Sequence, residues 1–264
     1  MLEVLRRPRW IVYLLLAVVF GVITANLGLW QWHRHEEKVE RRDIVEANYF
    51  GDPVPVDEVL DPAGTPLEHS RQWTRLSATG SYAAEEQVLV RNRPHQGVYG
   101  YEVLVPLVLA DGSALVVDRG WVRNAADAAT LPEVPPPPAG EVSVTGWVRP
   151  SEEDLGRDLP EGQLASIDLP RVAAASGLEV RGGYLVLEDE TPPAERPAAL
   201  QPPRTGLGSH LAYAIQWWLT VPVGLILVLV MARQTARDEQ VERGERAPRT
   251  PRPKKVRIWD EEDE

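Results

Sequence analysis

The chain has 264 residues, of which 44% are hydrophobic, and a formal net charge of −11. It contains no cysteine, which excludes disulfides, thiolate metal sites, covalent c-type haem attachment and thiol redox chemistry. The first nine residues carry +2 and residues 232–264 carry no net charge, so the acidic excess lies between them. It argues against a nucleic-acid partner and against docking of this domain flat on anionic lipid.

The first apolar run covers residues 10–31 and follows a short basic segment, residues 1–9. About 20 residues in a helix span roughly 30 Å, the thickness of the hydrocarbon core of a membrane. No small-residue cleavage pattern follows the run, so it predicts an uncleaved transmembrane helix. Small residues on one face allow a second helix to approach closely there: Gly21, Ala25 and Gly28. The polar residues 33–50 carry opposite charges at helical spacing and predict a continuation of this helix.

Residues 32–209 are predicted to form an extracytoplasmic β domain. Short runs rich in β-branched and aromatic residues alternate with turn residues, at 75–79, 88–90, 101–109, 114–122, 142–148 and 184–187. Asp111-Gly112 is a hairpin signal between two of these runs, and residues 169–176 are read as one short helix. The pattern predicts a mostly antiparallel, closed or barrel-like sheet.

The second apolar run predicts a transmembrane helix over residues 210–232. Its first half is polar and aromatic, and helical spacing places Tyr213, Gln216, Trp217 and Thr220 on one stripe, one turn below His210. Lipid does not satisfy an amide or an imidazole, so such groups face another helix, a cavity or the interface. The alternative is an aromatic belt with an interfacial histidine that touches lipid head groups.

The charges that flank the second run predict its orientation. Four arginines follow it within residues 233–246, and acidic residues precede it within residues 188–195. Basic flanks stay in the cytoplasm, so both termini are expected inside and the β domain outside the cell membrane. Residues 233–264 are charged and poor in apolar residues, which predicts a disordered cytoplasmic tail. The chain is therefore predicted to be a membrane protein of α+β class, with two transmembrane helices flanking the β domain.

The sequence lacks the common catalytic and nucleotide-binding motifs: it has no P-loop, no dinucleotide fingerprint, no nucleophile elbow and no metal-spaced histidine cluster. His69 and His95 lie in loop-like sequence, where a solvated imidazole is expected. Residues 118–121 (Asp-Arg-Gly-Trp) are read as a strand-end ion pair and turn. These patterns predict a protein that is not an enzyme.

Five motifs occur in an order that resembles the Surfeit locus protein 1 family. They are Leu27-Gly28-x-Trp30-Gln31-x-x-Arg34-x-x-x-Lys38, Arg91-Asn92-Arg93-Pro94 with Gly97-Val98-Tyr99-Gly100-Tyr101-Glu102-Val103, Val116-Val117-Asp118-Arg119-Gly120-Trp121-Val122, Gly146-x-Val148-Arg149 and His210-Leu211-x-Tyr213-Ala214-x-Gln216-Trp217. The resemblance implies an assembly factor that assists haem a delivery or insertion into the catalytic subunit of cytochrome c oxidase, with a haem a synthase as possible donor. Arginine outnumbers lysine 25 to 3, which is typical of a GC-rich bacterial genome.

The resemblance also implies roles for individual residues. His210 matches the proposed haem-iron ligand of bacterial members, which makes haem a, held transiently, the expected cofactor. The macrocycle is then expected between the two helices, against Trp217 and the small residues of the first span, with Arg34 at a propionate. Tyr213, Gln216 and Trp217 are candidates for the same site, although helix packing would use them equally well. Gly100 is read as a turn residue and Arg119 as a pairing residue.

Two other functions remain open at this stage. In the first, the paired spans form a permanent accessory subunit of an oxidase or respiratory supercomplex, without a cofactor of their own. In the second, the protein is an anchored extracytoplasmic enzyme or ligand-binding module, a reading that rests only on the presence of a β domain.

Overall fold

A long helix begins near the N-terminus of the structure, a computed structural model that describes residues 1–126 and 130–247. After a short helix α1 (Leu2–Leu5), helix α2 spans Pro8–Asn48. Proline is favoured at the first position of a helix, where its missing N–H would have no partner, and α2 contains no other proline. The helix is therefore continuous from the apolar run into the polar residues that follow, as the charge pattern predicts.

The second apolar run forms two helices, α4 (His210–Thr220) and α5 (Val223–Glu242). The break falls at Val221-Pro222, because proline lacks the N–H that would continue the α4 hydrogen bonds. Taken together, Pro8–Asn48 and His210–Glu242 are long and apolar enough to cross a membrane by length and composition.

The predicted disordered tail is wrong for residues 233–242, which are helical. This part of the chain contains arginine, glutamine, glutamate and alanine, which are good helix formers. Arg7 further holds it by a two-pronged salt bridge to Glu239, with N–O distances of 2.5 and 2.9 Å. Residues 248–264 of the predicted tail lie outside the described residues.

The chain divides into two compact units, Met1–Glu36 with Gly208–Glu264, and Glu37–Leu207. In the first unit, the N-terminal half of α2 packs against α5 through a small apolar core. Its buried members are Val4, Trp10, Ala17, Val228 and Ala232. Gly224 lies in this contact, where a Cβ would come within 3.2 Å of Phe20 and 3.5 Å of Ala17. Small residues thus let the two helices approach closely.

The second unit is a β-barrel with one short helix, α3 (Leu169–Ser176), as predicted. Its strands are β1 (Val54–Pro55), β2 (Arg75–Tyr82), β3 (Val88–His95), β4 (Val98–Leu109), β5 (Ala114–Arg123), β6 (Glu141–Pro150), β7 (Gln163–Leu164) and β8 (Val180–Thr191). All six predicted strand segments fall inside observed strands. The two-residue strands β1 and β7 were not predicted, since they are too short to show a pattern.

The sheet closes on itself. Its order is β1-β2-β6-β8-β5-β4-β3-β7, and β2 also pairs with β4, so β2, β6, β8, β5 and β4 form a closed ring. Most pairings are antiparallel, whereas β1–β2, β3–β7 and β5–β8 are parallel. The prediction of an α+β protein with a mostly antiparallel barrel is confirmed.

Two apolar cores follow from the alternation of side chains along the strands. Inside the barrel, one core contains Leu76, Leu107, Leu115, Val117, Val144, Leu185 and Leu187. Outside it, a second core joins the barrel wall to α3 and to the end of α2 through Val45, Trp73, Val116, Trp147, Val172 and Val186. Neighbouring residues of β5 alternate between the two, so this strand is buried on both faces.

The prediction that Gly100 lies in a turn is wrong. Gly100 lies inside β4, opposite Arg93 and Arg123. A Cβ at this position would overlap the carbonyl oxygen of Val122 and the ring of Trp121. The indole N–H of Trp121 donates to the carbonyl of Arg93 at 2.8 Å, which holds the ring over the strand. Gly100 is therefore required for close approach of this ring rather than for a change of chain direction.

Candidate functional site

His210 begins α4, half-buried, and its partner is a side chain of α2. The ring Nδ1 lies 2.8 Å from the side-chain oxygen Oε1 of Gln31. An amide oxygen only accepts, so Nδ1 carries the proton in this arrangement and Nε2 presents a lone pair. A neutral imidazole with one nitrogen held by a hydrogen bond is the form in which histidine binds metals.

The Nε2 edge of the ring lies beside Gly208. A Cβ at Gly208 would lie 3.5 Å from Cδ2 and 3.8 Å from Nε2 of His210, so a side chain there would lie against this edge. Gly208 has φ +68°, a conformation that glycine adopts without strain. Ser209 occupies the N-cap position but makes no side-chain capping hydrogen bond. Because Gly208 has no side chain, this residue places no atom against the Nε2 edge of His210.

The face of α4 that meets α2 is not the predicted stripe. The contacts run through Ala214, which is fully buried, and through Trp218 and Val221, which lie against glycines of α2. Tyr213 and Gln216 are exposed and Trp217 is half-buried. His210 lies at the border of both stripes, since 210-214-218 and 210-213-217 are each aligned along a helix.

Trp218 fills the small-residue face of α2. A Cβ at Gly28 would overlap the indole of Trp218 at Nε1 and Cδ1, and its distance to Cε2 would be 3.0 Å. The ring of Trp32 lies 6.0 Å from that of Trp218, centre to centre. The predicted close approach of a second helix at Gly21 and Gly28 is confirmed. The indole of Trp218 lies on the face against which the macrocycle is expected, and the position of the macrocycle stays a prediction.

Arg34 lies on the exposed side of α2. It follows Gln31 by three residues, so the two side chains share a face of the helix. Arg34 therefore shares a helix face with Gln31, the partner of His210. Of the predicted site residues on α4, His210 contacts α2 through Gln31, whereas Tyr213 and Gln216 are exposed. Gln31, Gly208 and Trp218 were not predicted as site residues. Gln31 could have been found, because it is a polar amide at the end of an apolar run, whereas the sequence around Gly208 and Trp218 gave no such signal.

The barrel carries a buried ion pair. Arg119, which is 0% exposed, donates from Nη2 to Oε1 of Glu190 at 3.0 Å and from Nη1 to the carbonyl of Pro135 at 3.0 Å. The hydroxyl of Tyr82 donates to the other oxygen of Glu190 at 3.1 Å. The predicted turn with a local ion pair at residues 118–121 is wrong, because this segment continues β5 and the partner of Arg119 comes from β8.

Asp118 points away from Arg119, to the other face of β5. Burial raises the pKa of its carboxyl well above the ordinary value, and the nearby carboxylate of Glu102 raises it further. The N–H of Gly120 donates to Oδ1 at 3.1 Å, whereas Oδ2 is buried without a hydrogen-bond partner. Across the described ranges, 1–126 and 130–247, no group of three or more His, Cys, Asp or Glu side chains has the geometry of a metal site.

Comparison with known proteins identifies relatives over most of the chain. A family model described as the SURF1 family matches residues 18–220. An uncharacterised SURF1-like protein of Mycobacterium bovis is 32% identical over 233 residues, 85% of this chain and 84% of the relative. A SURF1-like protein of Monosiga brevicollis is 27% identical over 81% of this chain and 85% of its own. The Surfeit locus protein 1 of Arabidopsis thaliana is 30% identical over 41% of this chain and 33% of its own.

Proposed function

The chain belongs to the SURF1 family, whose members are known in general as oxidase assembly factors, and we propose that it delivers haem a to the catalytic subunit of cytochrome c oxidase. In this proposal it binds the cofactor transiently, catalyses no reaction, and receives haem a from a haem a synthase. Both termini lie in the cytoplasm and the barrel lies outside the cell membrane. The observation that supports the proposal is the imidazole of His210, whose Nδ1 is held by Gln31 and whose Nε2 edge lies beside Gly208.

The residues around His210 suit a haem at the iron end. Haem supplies an iron that takes a neutral imidazole nitrogen as axial ligand. Gln31 fixes the tautomer that leaves Nε2 unprotonated, and Gly208 leaves room beside that atom. Arg34 offers a guanidinium for a propionate carboxylate. Since Trp218 fills the helix interface, the macrocycle belongs on the exposed stripe of Tyr213, Gln216 and Trp217.

The test is the haem content of the full chain, purified in detergent from cells that make haem a. In the reduced-minus-oxidised spectrum, His210→Ala should lose most of the haem a signal. Gln31→Leu should reduce haem retention roughly tenfold, the usual effect of losing the group that orients a ligating histidine. His69→Ala is the matched control, because this imidazole is exposed and lies in the barrel unit. Unchanged haem in His210→Ala would remove the ligand and leave the family's assembly role intact.

A permanent accessory subunit is the second candidate, and one observation favours it. Tyr213 and Gln216 are exposed on a helix that is apolar enough to cross a membrane. Polar side chains at membrane depth usually meet another protein helix rather than lipid. Purification of the mature oxidase would decide for this candidate if the chain remained bound at a one-to-one ratio and carried no haem of its own.

A further inference from the structure

A cavity of about 280 Å³ in the barrel unit lies between the end of α2, the segment before β2 and the end of β6. We call it the Trp73 pocket, and its polar lining comes from Glu37, Glu40, Arg41, His69, Gln72 and Arg149 around the ring of Trp73. It belongs to neither α4 nor the face around His210. Nothing in the proposed haem delivery uses it.

The backbone at Trp73 is held in an unusual conformation. Its φ is +70°, which bulky residues rarely adopt, while its side chain is 8% exposed. The surroundings enforce this arrangement: the N–H of Trp73 donates to the carbonyl of Val148 at 2.9 Å. The amide of Asn48 on α2 donates to the carbonyls of Ser70 and Gln72 at 2.6 and 2.8 Å. Such strained and over-determined positions are concentrated at binding sites.

Two guanidinium groups gather at the ring of Trp73. The Cζ of Arg149 lies 4.0 Å from the ring centre and that of Arg41 lies 5.4 Å from it. Arg149 donates from Nη1 to Oε1 of Gln72 at 3.3 Å. Two like charges on one ring repel each other, and an anion bound between them would remove that repulsion.

Gln72 and His69 each present an N–H group at the pocket. Because Oε1 of Gln72 accepts from Arg149, its Nε2 donates to Nδ1 of His69 at 2.9 Å. The proton of His69 is then on Nε2, which lies 3.9 Å from the exposed carboxylate of Glu40. Two carboxylates of the pocket oppose an anion here, those of Glu37 and Glu40. Both residues are exposed, Glu40 with 68% of its side chain, so water screens their charge.

We propose that Arg41 and Arg149 bind the phosphate of an anionic phospholipid in the Trp73 pocket. A phosphodiester carries one negative charge and matches the planar N–H fork of arginine. The lipid is favoured over a soluble phosphate because Arg41 follows the apolar run of α2 by only ten residues in the sequence. Basic residues next to a membrane-spanning helix bind anionic lipid headgroups. The indole of Trp73 gives the site an apolar wall for the part of the lipid beside its phosphate.

The experiment measures lipid binding to the delipidated full chain in detergent by native mass spectrometry. Phosphatidylglycerol should bind more tightly than phosphatidylcholine, and Arg41→Gln and Arg149→Gln should each weaken it roughly tenfold, the effect of losing one charge-assisted hydrogen bond. Arg42→Gln is the matched control, because Arg42 is the next residue along the chain, carries the same charge and already pairs with Asp43 at 2.7 Å.

The decisive variant is Arg41→Gln, since Arg41 is exposed and its loss leaves the barrel core intact. An unchanged unfolding temperature for Arg41→Gln, together with weaker phosphatidylglycerol binding, supports the site. An equal loss in Arg42→Gln would show a diffuse charge effect and overturn it. Binding of inorganic phosphate that needs Arg41, without any preference for phosphatidylglycerol, would overturn the lipid and identify a soluble anion instead.

Discussion

Replacing Arg119 by methionine should destabilise the barrel strongly, because it breaks a buried ion pair. Arg119 and Glu190 have side chains that are 0% and 3% exposed, with a distance of 3.0 Å between Nη2 and Oε1. Methionine has a similar length and no charge, so it leaves the carboxylate of Glu190 buried with only the hydroxyl of Tyr82 as a side-chain donor. Removing one partner of such a pair costs about 3–5 kcal/mol.

The size of this effect follows from comparing the single and double variants. A domain with about 5–15 kcal/mol of stability would lose roughly a fifth or more of it in Arg119→Met. Tyr82→Phe, which removes one hydrogen bond to the carboxylate, should cost about 1.5–3 kcal/mol. The double variant Arg119→Met with Glu190→Leu removes both charges of the pair. Its loss of stability should therefore be smaller than the sum of the losses in Arg119→Met alone and Glu190→Leu alone.

The assay is guanidinium unfolding of the full chain in detergent, followed by near-ultraviolet circular dichroism and extrapolated to zero denaturant. Arg75 provides the control, since it pairs with Glu188 at 2.7 Å with side chains that are 26% and 36% exposed. Arg75→Met should cost about 0–1 kcal/mol. If Arg119→Met cost no more than Arg75→Met, or if the two single costs simply added in the double variant, the reasoning from burial would be refuted.

Two further predictions concern the helix contact and the buried acid. Gly28→Leu should displace the indole of Trp218 and lower the unfolding temperature in detergent, whereas Gly206→Leu, at a site with open space around it, should not; equal temperatures would contradict the contact. Because burial raises the pKa of Asp118, the folded state binds this proton more tightly than the unfolded state, and the resulting stability is lost as pH rises from about 3.9 through the folded pKa. Asp118→Asn keeps an acceptor for the N–H of Gly120. The variant should therefore be more stable than the unchanged protein at pH values above the folded pKa of Asp118, and this advantage in the free energy of unfolding should shrink in acid. A stability difference that stays constant between about pH 4 and pH 8 would argue against this origin.

Local patterns predicted most of the fold. A run of about 20 apolar residues is enough for a membrane-length helix, and alternation with turn residues is enough for a strand. For this reason α2, α3 and the six longer strands lie where the sequence placed them. The helix past Met231 was missed because high charge was read as disorder, although its residues are also good helix formers.

Contacts between distant residues were beyond these patterns. Arg119 and Glu190 are 71 residues apart, and nothing local indicates which of many carboxylates the arginine meets. The rotation of α4 is a similar case. Periodicity makes Tyr213, Gln216 and Trp217 one stripe, and Ala214, Trp218 and Val221 another, one step around the helix. Both are plausible from sequence, and in the structure the indole of Trp218, rather than that of Trp217, lies against Gly28.

That choice constrains both candidate functions. With Trp218 at the contact between α2 and α4, a haem held by His210 would lie along Tyr213, which is exposed, and Trp217, which is half-buried. A porphyrin on an exposed helix face would be released easily. In both proposals the same side chains of α4 would face the oxidase. The two proposals differ at one atom, Nε2 of His210, so His210→Ala should abolish haem in the first case and leave oxidase binding unchanged in the second.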